Sequence, residues 1–264
     1  MRGALRCEAE VTSVQDWCRA YIESTSLEYK LRPPEPPTEW ATAQPIRLTA
    51  PGRPPELQVA TRAEKTRGLM APAGRARALH TFLHHELQAA ELMLWAILAF
   101  PDTPRAFHEG LIRIALDETR HMRMYAQRIE QHGHHVGEFA VRDWFWERIP
   151  TCKDPASFCA VMGLGLESAN LEHAQTFAQK FRSAGDEESA RVQELVGLEE
   201  IAHARFGAKW FAELRGGLDF ESWKSALPEP LTPLLMRGKP LARAARKKAG
   251  QPDEFLDALE AWEP

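Results

Sequence analysis

The chain lacks a hydrophobic run long enough to cross a membrane. Its longest uninterrupted apolar stretch, from Leu92 to Phe100, has nine residues, whereas a spanning helix needs about 20. The N-terminus carries Glu8, Glu10 and Asp16 and has no apolar core, so we expect no signal peptide. These absences predict a cytoplasmic protein without a membrane partner.

Cysteine pairs and a strong net charge are also missing. The four cysteines, Cys7, Cys18, Cys152 and Cys159, form no Cys-x-x-Cys, so we predict free thiols in a reducing cytoplasm. The net charge of −4 gives no broad electrostatic case for a nucleic-acid partner. With 44% hydrophobic and 27% charged residues, the composition is that of an ordinary globular chain.

Two Glu-x-x-His pairs are present, and each follows a lone glutamate at a similar distance. Glu86 precedes the pair Glu118 and His121 by 32 residues, and Glu167 precedes the pair that starts at Glu200 by 33. One glutamate from each of two helices, with Glu-x-x-His from each of the other two, is the ligand pattern of a carboxylate-bridged dimetal site in a four-helix bundle.

The spacing about the helix breaks places these residues at one level. Residues 100–104, with sequence FPDTP, separate two apolar-periodic runs. Glu86 and Glu118 each lie 16 residues from the middle of this break. In antiparallel helices that rise about 1.5 Å per residue, both carboxylates lie about 24 Å from the turn. The second half repeats the arrangement about the break at 183–186.

The residue types predict two metal ions. Glutamate and histidine together favour iron, manganese or zinc, and we expect a pair of iron ions, with manganese or a mixed manganese–iron pair as alternatives. Open positions for O2 are expected on the histidine-bearing side. The predicted roles are bridging carboxylates for Glu118 and Glu200, terminal carboxylates for Glu86 and Glu167, and nitrogen ligands for His121 and His203.

Two further glutamates compete for the terminal positions. Glu91 and Glu172 each follow a lone glutamate by five residues, which turns them about 140° around the helix. Both members of a pair therefore cannot face the same metal. We assign Glu86 and Glu167 as ligands, so that Glu91 and Glu172 face a neighbouring helix or the surroundings of the site.

Three residues are candidates for supporting roles. Asp117 and Glu199 each precede a bridging glutamate, and a carboxylate there can accept the far N–H of a histidine across the bundle. A surface salt bridge is the alternative for both. Tyr125, one turn beyond His121, is either a redox-active phenol near the metals or a core tyrosine.

The predicted fold is all-α in three parts. Residues 1–76 comprise a helix at 6–30 and a proline-rich extended arm, which is a lid, a partner-binding arm or a surface wrap. Residues 216–264 form a tail with short helices. The crossover at 133–153 contains Trp144, Phe145 and Trp146, which could cap one end of the bundle. The bundle, 77–215, has helices at 77–99, 105–132, 155–182 and 187–215.

Several stretches carry a family resemblance. They are residues 80–93 (HTFLHHELQAAELM), 100–104 (FPDTP), 117–121 (DETRH), 199–203 (EEIAH) and 209–211 (KWF). Here the chain resembles the ferritin-like superfamily of diiron carboxylate proteins, and most closely the ferritin-like family of unknown function DUF455, over about residues 50–220. The resemblance implies the fold and the metals, and supplies no established reaction.

Two positions depart from the pattern of this family. The third helix reads ESANLE at 167–172, where a segment like Glu-Ala-Arg-Gly-Leu-Asp is expected, so Ala169 stands at an arginine position. Glu199 stands where an aspartate is expected. The metal ligands are thus retained, and the substrate side differs.

The leading functional hypothesis is a diiron oxidoreductase, a monooxygenase or hydroxylase. It would activate O2 to oxidise a small-molecule or carrier-bound organic substrate, with an external electron donor. A ferroxidase or peroxide-scavenging metal protein, and a non-enzymatic bundle that binds a partner, are the alternatives. The choice rests partly on fold analogy. A substrate-sized channel that reaches the metals would favour the oxygenase, and a sealed site would favour the others.

Overall fold

The fold is built from helices, as the sequence predicts. A computed structural model describes residues 11–42, 44–61 and 68–264, and within them the β-type pairing is one isolated bridge between Val59 and Val141. None of the described helices combines the length and apolar sequence that crossing a bilayer requires. The helices are α1 (Val14–Glu23), α2 (Leu27–Leu31), α3 (Pro72–Ala99), α4 (Arg105–Gln131), α5 (Pro155–Val161), α6 (Ser168–Ser183), α7 (Glu187–Arg215), α8 (Phe220–Ala226), α9 (Arg243–Lys248) and α10 (Asp253–Ala261), with 3₁₀ helices at Ile149–Thr151 and Pro233–Met236.

The N-terminal segment forms two short helices, so the prediction of one helix at 6–30 is wrong. Residues 1–10, with Cys7, lie outside the described residues. The side chain of Ser13 accepts a hydrogen bond from the Asp16 amide and caps α1, and that of Ser26 accepts one from Tyr29 and caps α2. Serine and threonine favour caps over helix interiors, and the sequence STS at 24–26 therefore separates α1 from α2.

The four long helical segments agree with the sequence prediction, apart from one boundary. Helix α3 begins at Pro72, five residues before the predicted start at 77. Proline suits the first position of a helix because its φ is already helical and its missing N–H has no partner there in any helix. Pro72, which the prediction placed in the extended arm, is therefore the first residue of α3.

A π-helical turn, Met162–Glu167, joins α5 to α6. A Cβ atom added at Gly163 would lie 2.4 Å from the Cα of Gly207, so α7 and this turn meet backbone to backbone. The hydroxyl of Ser168 donates to the carbonyl of Gly163 at 2.9 Å. The turn ends on Glu167, and π turns of this kind are frequent at functional sites.

The long helices pack as two hairpins. Helix α3 packs on α4, α6 packs on α7, and contacts between α4 and α7 join the hairpins. Helix α1 covers α3, and α9 covers part of α6 and α7. Every residue of α3 from Leu92 to Ala99 is buried, which explains why this stretch is apolar around its whole circumference.

Glu91 joins the N-terminal segments to α3. Its carboxylate, fully buried, lies 2.7 Å from the ammonium of Lys30 and accepts two hydrogen bonds from Arg53 at 2.6 and 2.9 Å. The indole of Trp146, from the crossover, donates to it at 2.7 Å. Burial alone would raise the pKa of Glu91, but the charges of Lys30 and Arg53 outweigh burial and lower it. Glu91 therefore stays ionised and fixes three segments at one point.

Glu172 makes the corresponding attachment for the C-terminal tail. Arg246, on α9, donates to its two carboxylate oxygens at 2.8 and 2.7 Å. The backbone amides of Gly238 and Ala242 donate to the same carboxylate at 3.0 and 2.8 Å. Glu91 and Glu172 thus lie at equivalent positions in the two halves, and each binds a segment from outside the long helices.

We expect Arg246→Ala to lower the free energy of unfolding by roughly 3–5 kcal/mol, because it leaves the buried carboxylate of Glu172 without its countercharge. Arg243, on the same helix, pairs with the exposed carboxylates of Asp253, Asp257 and Glu260, so Arg243→Ala should lower the free energy of unfolding by about 1 kcal/mol at most. Urea denaturation followed by circular dichroism measures both. Equal losses for the two variants would contradict the assigned role of Arg246.

Candidate metal centre

Six side chains converge between the two helix hairpins. They form two groups of four, and within each group one ligand atom per residue lies within 4.8 Å of the others. None of the six is more than 5% exposed. The first group is Glu86, Glu118, His121 and Glu200, and the second is Glu118, Glu167, Glu200 and His203. These are the six residues predicted from the sequence. Glu118 and Glu200, which belong to both groups, are called the shared glutamates below, and Glu86 and Glu167 the lone glutamates.

The three-residue spacing on α4 and α7 brings each histidine onto the same face as a shared glutamate. The Nδ1 atom of His121 lies 2.9 Å from Glu118, and that of His203 lies 3.1 Å from Glu200 and 2.9 Å from Glu118. The two imidazole centroids are 6.0 Å apart. Both rings therefore turn Nδ1 towards the carboxylates.

The outer nitrogens of the histidines contact carboxylates across the helix pair. The Nε2 atom of His121, on α4, lies 2.7 Å from Glu199 on α7, and Nε2 of His203, on α7, lies 3.3 Å from Asp117 on α4. A carboxylate at Nε2 favours the proton there and leaves Nδ1 as the ligand atom. The structure thus gives Asp117 and Glu199 the crosswise contacts expected of them.

Arg120 is a functional candidate that the sequence reasoning missed. Its guanidinium donates to Glu199 at 2.6 Å and to Asp117 at 3.4 Å. The pKa of Asp117 is lowered, first by the hydrogen bond with His203 and then by Arg120. The three-residue spacing from Asp117 was the available signal, but nothing in the sequence links Arg120 to α7.

The lone glutamates and Glu118 differ in proton affinity. Burial raises the pKa of both lone glutamates well above its usual range, and the charges of the shared glutamates raise it further. Burial has the same effect on Glu118, but the charges and hydrogen bonds of His203 and His121 outweigh it and lower the pKa of Glu118. Burial lowers the pKa of His121, yet Glu118 and Glu200 raise it to about 8. The cluster therefore holds protons that metal ions would displace.

One buried oxygen points to a missing partner. Within the described part of the chain, Oε1 of Glu167 is buried and accepts no hydrogen bond. A buried carboxylate oxygen without a donor is costly, and a bound cation would remove that cost. Four carboxylates and two imidazoles suit iron, manganese or zinc. These residues could therefore hold a metal ion.

A cavity of about 380 Å³ reaches the lone glutamates. Its inner wall includes Ala169, the position that departs from the family pattern, and Tyr125, whose hydroxyl accepts a hydrogen bond from Gln193 at 3.1 Å. Neither His121 nor His203 is among the described lining residues. This cavity thus adjoins the lone glutamates, and the expectation of open metal positions on the histidine side stays a prediction.

The cavity also contains residues that sequence reasoning did not connect with the site. Asn170, three residues after Glu167, lines it and donates to Glu200 at 3.1 Å. Trp144 and Phe145 come from the crossover and form part of the wall, whereas Trp146 contacts Glu91. The spacing Glu-x-x-Asn could have identified Asn170. The contribution of the crossover depends on tertiary packing, for which the sequence has no local signal.

A family model matches almost the whole chain. The model of a family described as "Protein of unknown function (DUF455)" matches residues 5–257. The chain is 25% identical over 173 residues to an uncharacterized protein of Haemophilus influenzae (strain ATCC 51907 / DSM 11121 / KW20 / Rd), and the match covers 62% of this chain and 60% of that protein. No solved structure matches. The family model matches nearly the whole chain, including all six cluster residues, and the chain therefore belongs to the DUF455 family.

Proposed function

We propose that this protein is a ferritin-like four-helix bundle with a dinuclear metal centre. The shared glutamates would bridge two metal ions, the lone glutamates would be terminal ligands, and each histidine would supply Nδ1. The observation that carries this proposal is the sharing of Glu118 and Glu200 by two groups of four ligands. The pairing of a Glu-x-x-His helix with a lone-glutamate helix in each half agrees with dimetal carboxylate bundles.

We further propose that the protein is an oxidoreductase, which uses O2 to hydroxylate or oxidise an organic substrate in the cavity. Two iron ions held at this site would supply electrons to O2. Hydroxylation inserts one oxygen atom into the substrate and releases the other as water, so it also needs two protons and two electrons from an external donor. The cavity at the lone glutamates supports this reading, since it gives an organic molecule access to the centre.

The surrounding residues of the chain have separable tasks in this proposal. Asp117 and Glu199 fix the Nε2 protons and the orientation of the imidazoles, and Arg120 fixes both of these carboxylates. The aromatic wall of the cavity would contact the substrate beside the lone glutamates. Asn170 orients Glu200 through its amide hydrogen bond.

We expect the folded protein to bind two Fe(II) ions per chain under anaerobic conditions. Glu200→Ala should lose both, because both ligand groups contain Glu200. Glu213→Ala, an exposed glutamate on the same helix, is the matched control and should retain both. Elemental analysis after gel filtration measures the stoichiometry. A value near zero for the unmodified protein would refute the dinuclear centre.

Metal should also stabilise the fold. A ligand that binds only the native state adds about 2.7 kcal/mol at a concentration of 100 times its Kd, and metal ions also offset the repulsion among the buried glutamates. The Tm should therefore rise on addition of Fe(II) or Mn(II), and it should not rise in Glu200→Ala. Calorimetry of metal-free and metal-loaded samples tests this, and an unchanged Tm at saturation would speak against binding by the native state.

Iron bound at the proposed centre should react with O2. Fe(II) bound to the reduced protein should oxidise faster on exposure to air than Fe(II) in the same buffer, and Glu200→Ala should return the rate to that of the buffer. Stopped-flow absorbance gives the rates. Mineral iron as the product would favour the ferroxidase alternative, and oxidation no faster than in buffer would exclude both redox proposals.

A further inference from the structure

The wall of the cavity at the lone glutamates is rich in aromatic side chains. Phe82 and Phe177 meet edge to face with centroids 4.7 Å apart, and His85 stacks on Phe145 at 5.2 Å. Tyr125 also lies near Phe82, at 5.8 Å. These rings come from α3, α4, α6 and the crossover. Such a surface favours a flat aromatic ligand, which can adopt the same offset and edge-to-face contacts.

Charge in the cavity is confined to its metal-binding end. Among the described lining residues, the lone glutamates are the only carboxylates, and none is lysine or arginine. In a centre with two divalent ions, the four glutamate carboxylates would balance the metal charge. A charged ligand would lose its hydration without gaining a countercharge, which is unfavourable. The cavity therefore suits an uncharged molecule.

Polar groups at the inner end can orient a ligand. The amide nitrogen of Asn170 donates to Glu200, and its amide oxygen can accept a hydrogen bond from a ligand. The Tyr125 hydroxyl accepts a hydrogen bond from Gln193 and can still donate its proton. The outer end is accessible, because Thr81, His85, His173 and Leu235 are exposed. A ligand can thus enter from solvent and present one polar group to Asn170 and Tyr125.

We infer that this cavity binds a compact, uncharged aromatic molecule that carries one hydroxyl or amide group. Its volume of about 380 Å³ is at the small end of the range for small-molecule sites, about 300–1,000 Å³, which suits a compact molecule. The inference rests on the proposed function only in so far as this molecule is also the substrate that the metal centre oxidises. The binding itself requires no metal.

Isothermal titration calorimetry of the full chain, metal-free and loaded with Mn(II), tests the inference with three probes. 2-Naphthol is neutral and aromatic, 2-naphthoate is its anionic counterpart, and 1-octanol is a neutral aliphatic alcohol. We expect one 2-naphthol per chain, bound at least tenfold more tightly than either of the other two in both metal states. Comparable or tighter binding of 2-naphthoate or 1-octanol, or no binding of 2-naphthol, would overturn the inference.

Two variants locate the binding site. Ala169→Phe fills the inner cavity and should weaken 2-naphthol binding at least tenfold. Leu235→Ala removes an exposed part of the wall and should weaken it several-fold, whereas Leu234→Ala, its exposed neighbour outside the described lining, should not. Circular dichroism verifies that each variant is folded. Unchanged affinity in both folded cavity variants would exclude this cavity as the site.

Metal analysis of the same samples separates the two proposals. Two metal ions per chain without preferential 2-naphthol binding would overturn the ligand inference and leave the proposed centre standing. Preferential 2-naphthol binding by protein that takes up no Mn(II) would support the cavity assignment and refute the proposed centre.

Discussion

Four glutamate carboxylates repel one another where the two helix hairpins meet, and none of them is more than 5% exposed. The fold depends on offsetting this repulsion. In a medium of low polarity such charges cannot remain close without cations or protons. The histidines supply part of the compensation, because each imidazole contacts a carboxylate of the cluster through Nδ1. The lone glutamates, which lack such a contact, have the raised pKa values. The lone glutamates therefore differ from Glu118 in electrostatics as well as in position.

Glu91 and Glu172 have similar surroundings in the two helix hairpins. Glu91 and Glu172 are buried on the same helices as the lone glutamates and point elsewhere, and arginine donates to both oxygens of each. A turn of about 140° over five residues separates a glutamate that faces the centre from one that faces an outer segment. The arginines of the arm and the tail keep these carboxylates out of competition for the centre.

Much of this arrangement could be predicted because it is local. Breaks at 100–104 and 183–186 and the helical period fix which residues are level, so the six cluster residues follow from counting along the chain. Other features required information from distant segments. The π turn before Glu167 accompanies the contact of Gly163 with Gly207, and the role of Arg120 depends on Glu199, 79 residues away. The serine caps that separate α1 from α2 are a local signal. The prediction of one helix at 6–30 gave more weight to the apolar pattern of the segment than to these caps.

The attachments of Glu91 and Glu172 have a consequence for how the chain can be divided. A fragment limited to residues 77–215 would keep both carboxylates and lose Lys30, Arg53 and Arg246, so two unpaired charges would remain in its interior. The ends of the long helices can be recognised in the sequence, but a fragment cut at these ends would contain buried charges without partners. The N-terminal segments and the tail each supply countercharges to glutamates buried on the long helices, and truncation at either end removes a countercharge from inside the remaining protein.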